Sequence, residues 1–206
     1  ALAHREADRL PVDLGASESS GIHGIAYNRL KTHLGLPGGH TQIYDLSQMI
    51  AKVEPEVLDC VGADALPLLI EPRRWKPWTL MDGSVCEVPA GANLRQTGQG
   101  GTELLADDGT VVATAPAGSF YLNTTYHALE KATSPRDIEA GLAHLHSFDW
   151  PSFCDEDYAD LRAKAQWLQE NTDRALVGNL WVHVFAAGQI LRGFENFMVD
   201  LLADKP

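Results

Sequence analysis

Apolar positions along the chain fall into short unbroken runs separated by stretches with helical spacing. Leu10-Pro-Val-Asp-Leu14 reads as a short buried strand closed by Gly15. After Ser19-Ser20-Gly21, the apolar residues Ile22, Ala26, Leu30 and Leu34 recur at helical intervals, predicting a helix that Gly35 ends. Thr41 to Tyr44 reads as a second short strand, followed by helical pieces over Leu46 to Val53 and Pro55 to Val61. Gly62 stops the latter, and Ala65 to Ile70 is an apolar run of strand length ending on Glu71.

The texture changes from Arg73 to about Ser119, where Gly and Pro are dense and short alternating runs appear at Ser84–Val88, Glu103–Ala106 and Thr110–Thr114. Asp107-Asp108-Gly109 is a hairpin-turn signal between the last two. This stretch is expected to be a β-rich excursion, since long structureless loops are uncommon in compact domains. Helical texture returns at Ser134-Pro135, with Ser134 as N-cap and Pro135 in the first turn. Asp155 to Thr172 is an amphipathic helix, Ala175 to Leu180 a strand, and Phe185 to Leu202 a final helix. Strands alternating with helices predict a parallel α/β arrangement.

Sixteen basic and 28 acidic side chains leave a formal charge of −12, which repels phosphate backbones and anionic lipid. Nucleic-acid and membrane-surface partners are therefore not expected. Cys60, Cys86 and Cys154 are odd in number and far apart, the usage of reduced thiols rather than of a disulfide framework. No apolar run approaches the roughly 20 residues that span a bilayer. The segment Ala1 to Leu10 is charged, without the apolar centre of a signal peptide, and no Met stands at position 1. Residues upstream and a cytoplasmic location are the expectations.

Three stretches together resemble the uroporphyrinogen decarboxylase superfamily. They are Ala7-Asp-Arg-Leu-Pro-Val-Asp-Leu-Gly15 with Gly21-Ile-His-Gly-Ile-Ala-Tyr27, then Glu56-Val-Leu-Asp-Cys-Val-Gly-Ala-Asp64, and finally Val177-Gly-Asn179 through Leu191-Arg-Gly-Phe-Glu-Asn-Phe-Met-Val-Asp200. The resemblance implies an α/β fold of the (β/α)8 TIM-barrel type, with its active site at the carboxyl ends of the strands. A complete barrel runs to about 250 residues. With about four barrel strands in 206 residues, the expectation is a single incomplete domain, the N-terminal half of a barrel with a β-rich insertion at about 73–119.

The departures from the family pattern favour one branch. Decarboxylases follow the Pro-Val pair with arginines that hold the substrate's carboxylates through bidentate forks. Here that stretch carries Ala16 and Ser20, with no arginine before Arg29, and Gln189 stands where decarboxylases place a tyrosine. The other branch moves methyl groups to or from a corrinoid carried by a partner protein. Its thiol-methylating members hold zinc through His-x-Cys and a distant Cys, in a part of the family's barrel that would lie beyond this chain. The zinc-bound thiol becomes a thiolate at neutral pH. No metal site is expected within these 206 residues.

On this reading Asp13 and Glu71 end strands at the barrel mouth, as candidate catalytic carboxylates; Asp13 reads equally as a loop cap, and Glu71 as the salt-bridge partner of Arg73 or Arg74. His23, a third catalytic candidate, and Tyr27, four residues apart on one helix face, could together hydrogen-bond a substrate or a corrinoid side group; a lone histidine near an apolar face is more often a satisfied structural group. Asn179, Trp181 and His183 alternate along one side of a strand and, with Gln189, line the pocket; Trp181 reads more simply as core. His144-x-His146 would diverge by about 200° on a helix, poor geometry for one metal. Gly98 to Gly101 lacks the Lys-Ser/Thr of a phosphate loop and reads as a turn.

The leading expectation is thus a corrinoid-linked methyltransferase or O-demethylase acting on a small molecule. The alternatives are a decarboxylase of a tetrapyrrole or smaller acid, within porphyrin metabolism, and a non-catalytic half-barrel that buries its sheet edges as a homodimer.

Overall fold

The computed structural model describes residues 4, 6–38, 40–147, 154–179 and 183–203, with 142–147 described by backbone alone. These residues form two compact units, one drawn from 4–92, 118–122 and 154–179, the other from 93–117, 123–147 and 183–203.

The first unit opens with a 3-10 turn at Glu18–Ser20, strand β1 (Ile22–His23) and helix α1 (Gly24–His33). The helix starts two residues later than its apolar spacing suggests because His23 serves as the N-cap, its Nδ1 accepting the Ile25 amide at 3.1 Å. Its buried face is Ile25, Tyr27 and Lys31 rather than the predicted stripe, and Ala26 is exposed. Strands β2 (Ile43–Asp45) and β3 (Ile50–Ala51) pair antiparallel, with β1 on the other side of β3. A helix was the expectation for 46–53. Asp45 prevents it, since its Oδ1 takes the Ser47 amide at 2.8 Å and the Ser47 hydroxyl at 2.6 Å, and Met49 turns the chain with φ +52°.

Helix α2 (Pro55–Val61) has Pro55 in its first turn and ends at Gly62 with φ +63°, as its punctuation predicts. Strand β4 (Ala65–Leu68) is joined in parallel register by β11 (Ala175–Gly178), and helix α4 (Asp155–Asn171) packs against both. The hairpin β5 (Trp75–Thr79) and β6 (Val85–Pro89) lies beside β2, where the Glu87 amide donates to Thr41 O at 2.7 Å. Tyr27, Ile43, Ala51, Val57, Cys86 and Val88 are closed to solvent and form this unit's core.

In the second unit β7 (Asn93–Gln96), β8 (Thr102–Leu105), β9 (Val111–Ala115) and β10 (Asn123–Thr124) make an antiparallel meander. Gly109, φ +86°, turns β8 into β9, and the 97–101 turn between β7 and β8 closes through the Thr97 amide on Gly101 O at 2.9 Å. Three helices complete the unit, α3 (Pro135–Ser147), α5 (Val184–Arg192) and α6 (Phe194–Ala203). The single helix expected over 185–202 breaks at Gly193, which sits at φ +80°, ψ 145°.

These elements do not build a TIM barrel or its N-terminal half, which corrects the fold expected from the resemblance. Among the described strands only β4 and β11 pair in parallel; the other three sheets are antiparallel. A barrel requires each strand to be followed by a helical crossover. Here the Asp45 turn folds β2 straight back onto β3, and the hairpins following Arg74 stand between β4 and its crossover helix. Residues 10–14, read as the first strand, form no named strand: Pro11 has no amide to give a ladder, and Leu10 is exposed. The class is mixed α/β, predominantly antiparallel. No helix among the described residues is long and apolar enough to cross a membrane.

Candidate functional site

The carboxyl ends of β4 and β11 lie side by side, Leu68 opposite Gly178, and the Asn179 amide donates to Leu68 O at 3.0 Å. Glu71 follows three residues beyond β4. Lys52, just past β3, donates to its Oε2, and Lys164, on α4, donates to its Oε1. Burial pushes the Glu71 carboxyl up, but the hydrogen bonds and charges of Lys164 and Lys52 outweigh it and hold the group below its ordinary range. Glu71 is therefore ionised and, with both oxygens occupied, a poor base. It can orient two ammonium groups or accept a further donor through its remaining lone pairs. Each lysine directs one of its three N–H bonds at Glu71, and both side chains are about one-third exposed, 36% and 32%.

The expected partners of Glu71 are otherwise engaged or elsewhere. Arg73 reaches Asp157 at 2.9 Å and Asp160 at 3.4 Å. Asp157 also accepts the Cys154 amide at 2.9 Å, so Arg73 ties the start of α4 to the end of the β4 segment.

His23 has both ring nitrogens committed. With Nδ1 accepting from Ile25, Nε2 carries the proton and donates to Phe120 O at 3.1 Å, and the ring stands edge-on to Phe120 and Tyr121 at 5.6 and 6.3 Å. Burial lowers its pKa below 6.5, against the opposing pull of the Phe120 carbonyl and Asp82. Tyr27 is closed to solvent, its hydroxyl donating to Glu54 Oε2 at 2.8 Å and accepting the Glu54 amide at 2.7 Å. Burial pushes the phenol well above its usual range. Lys31 completes this network, bonding Glu54 Oε2 at 2.7 Å with its ammonium 5.2 Å from the Tyr27 ring centre.

Asp13 caps its own loop, accepting the Ala16 amide at 3.0 Å. Asn179 lies at the strand ends in the first unit. His183 is the N-cap position of α5 and Gln189 lies within that helix, both in the second unit. The alternation read through His183 stops with β11 at Gly178, and Trp181 lies outside the described residues. His144 and His146 fall in α3 where only backbone is described. Among the described residues no group of three or more His, Cys, Asp or Glu is placed to hold a metal ion.

Sequence reasoning missed Lys52, Lys164, Lys31 and Glu54. Tyr27 and Lys31 are four apart on one helix, and Glu54 immediately precedes the Pro55 helix start; both signals were present. Nothing local ties Lys164 to Glu71, 93 residues away. Compared with models of known families, with curated proteins and with solved structures, the chain matches none.

Proposed function

We propose that this chain belongs to the uroporphyrinogen decarboxylase superfamily and serves a corrinoid-linked methyltransferase or O-demethylase, with part of its substrate site at the carboxyl ends of β4 and β11. The observation that carries this reading is that the first two of its resembling stretches, far apart in sequence, meet at Asp64, beside the start of the strand that leads into the third. In the first stretch, Val12 O accepts the Asp64 amide and Val12 N donates to Asp64 Oδ2, both at 2.7 Å. Arg9 adds a salt bridge to the same carboxylate at 2.6 Å. Asp64 O in turn accepts the Ala175 amide at 2.8 Å, where β11 begins and leads into the third stretch.

This convergence supports the family reading without requiring a barrel. Ligands in α/β units bind beyond the carboxyl ends of parallel strands, which here present Asn179 and, nearby, Glu71 with its two lysines. A corrinoid carried by a partner protein would supply or take the methyl group. The chain's own residues hold and orient the small molecule, and the described residues do not fit a zinc site, so no step is assigned to that metal.

The test is a methyl-transfer assay on the protein purified without oxygen, with a corrinoid protein and a panel of methoxylated and thiol substrates. Interconversion of cob(I)alamin and methylcobalamin, followed by their visible spectra, is expected. Its absence across the panel refutes the reading.

A further inference from the structure

We infer that Lys52 and Lys164 form a receptor for a carboxylate group of the substrate, with Glu71 acting as a fixed spacer between them. The inference rests on the proposed location of the substrate site at the ends of β4 and β11, and it adds the chemical class of what binds there. Three observations carry it.

The two ammonium groups flank a single carboxylate, one on each oxygen. A second carboxylate approaching the same pair can accept one donor on each of its two oxygens. Each lysine retains N–H bonds beyond the one given to Glu71, and each is about one-third open to solvent, 36% and 32%. The cluster is also positive by one charge, two ammonium groups against one carboxylate that is held ionised.

The three side chains come from three different elements. Lys52 follows β3, Glu71 follows β4, and Lys164 lies on α4, ten residues into the helix from Asp155. Their spacing is thus set by the packing of the first unit and not by one flexible loop, and preorganised charges lose less on binding. The resulting site is a ring of alternating charges: Glu71, Lys52, the ligand carboxylate, Lys164.

The test is isothermal titration with malonate, acetate and inorganic phosphate at low ionic strength, on the wild-type protein and on Lys52→Met, Lys164→Met and Glu71→Gln, each checked for folding by circular dichroism. Saturable binding of malonate or acetate is expected in the wild type. Either lysine change should weaken it at least about tenfold, the scale of one charge-assisted hydrogen bond. Glu71→Gln should tighten binding several-fold, because it removes the negative charge that competes for the ammonium groups, and its amide oxygen still accepts from one lysine while the other is released to the ligand.

That opposite sign separates a receptor from a merely structural ion-pair cluster. No saturable carboxylate binding, unchanged affinity in both folded lysine variants, weakened binding in a folded Glu71→Gln, or phosphate binding without carboxylate binding would each overturn the inference. None of these measurements involves a corrinoid. Carboxylate binding without methyl transfer would therefore fail the proposed function alone, and methyl transfer without carboxylate binding would fail this inference alone.

Discussion

Lys31 delivers its ammonium to Glu54 at 2.7 Å from a position almost closed to solvent, its side chain 2% exposed, and the Tyr27 hydroxyl binds the same carboxylate oxygen at 2.8 Å. A charge so buried is tolerated because it is paired, and the two partners are not equivalent when removed. Glu54→Ala strands the ammonium and takes away the acceptor of the Tyr27 hydroxyl, which keeps only the bond it receives from the amide of residue 54. It is expected to destabilise the protein by about 3 kcal/mol, the low end for breaking a buried pair, since Glu54 itself is 34% exposed. Lys31→Met leaves Glu54 bonded to Tyr27 and is expected to cost about 1 kcal/mol or less. Urea unfolding of the two variants checks the order.

His23 is held neutral in the folded chain, with its pKa below the ordinary 6.5. For a base whose folded pKa is lowered, the unfolded state binds the extra proton first, so stability falls as pH drops below about 6.5 and levels off once the folded pKa is passed. Protonation also removes the Nδ1 acceptor that caps α1. His23→Gln, which retains an acceptor but does not titrate, should flatten the stability profile between pH 7 and 5. Thermal melts across that range, with proton NMR of the ring, measure both effects.

Glu71 acts in the same sense, at lower pH. Its folded pKa lies below 4.5, so the unfolded state again takes up the proton first on acidification, but at lower pH. Its contribution is fully present above about pH 4.5 and is lost as pH falls through the folded value. Glu71→Gln should therefore reduce the steepness of acid unfolding below pH 4.5 without altering the His23 region, a separation readable by circular dichroism.

Gly193 separates α5 from α6 at φ +80°, ψ 145°, a conformation open to glycine but strained for other residues. An added Cβ meets only His127, at 3.5 Å and beyond, so the backbone and not crowding sets the penalty. Gly193→Ala should destabilise the second unit by about 1–3 kcal/mol. Hydrogen exchange localised to α5 and α6 distinguishes this from a global effect.

The elements legible in the sequence are those with local causes. Pro55 and Gly62 bracket α2, Ser134 and Pro135 start α3, and Asp107 to Gly109 turn β8 into β9; each acts through neighbours within a few residues. Two misreadings came where a side chain's bond to a nearby amide outweighed the apolar spacing. Asp45 intercepts the following amides and converts an expected helix into a turn, and His23 caps a helix whose apolar spacing suggests an earlier start. The parallel order inferred from alternating strands and helices failed because pairing direction depends on which strands meet, and β2 meets β3. At the candidate site Glu71 and Asn179 were legible from their strand ends, whereas Lys52 and Lys164 were not.

The pairing of β4 with β11 joins residues 110 positions apart, Ala65 against Ala175, across both hairpin systems. Loop closure over that distance is slow and precedes any stabilising contact, whereas β5–β6 and the β7–β9 meander close through turns of a few residues. The antiparallel elements therefore form first and independently, and the strand ends that carry Glu71 and Asn179 come together only in the last stage of folding. A ribosome would have to finish residue 178 before that pair could exist. Until then the edges of β4 and β11 are without the ladder hydrogen bonds they give each other, which leaves this late step open to edge-to-edge association.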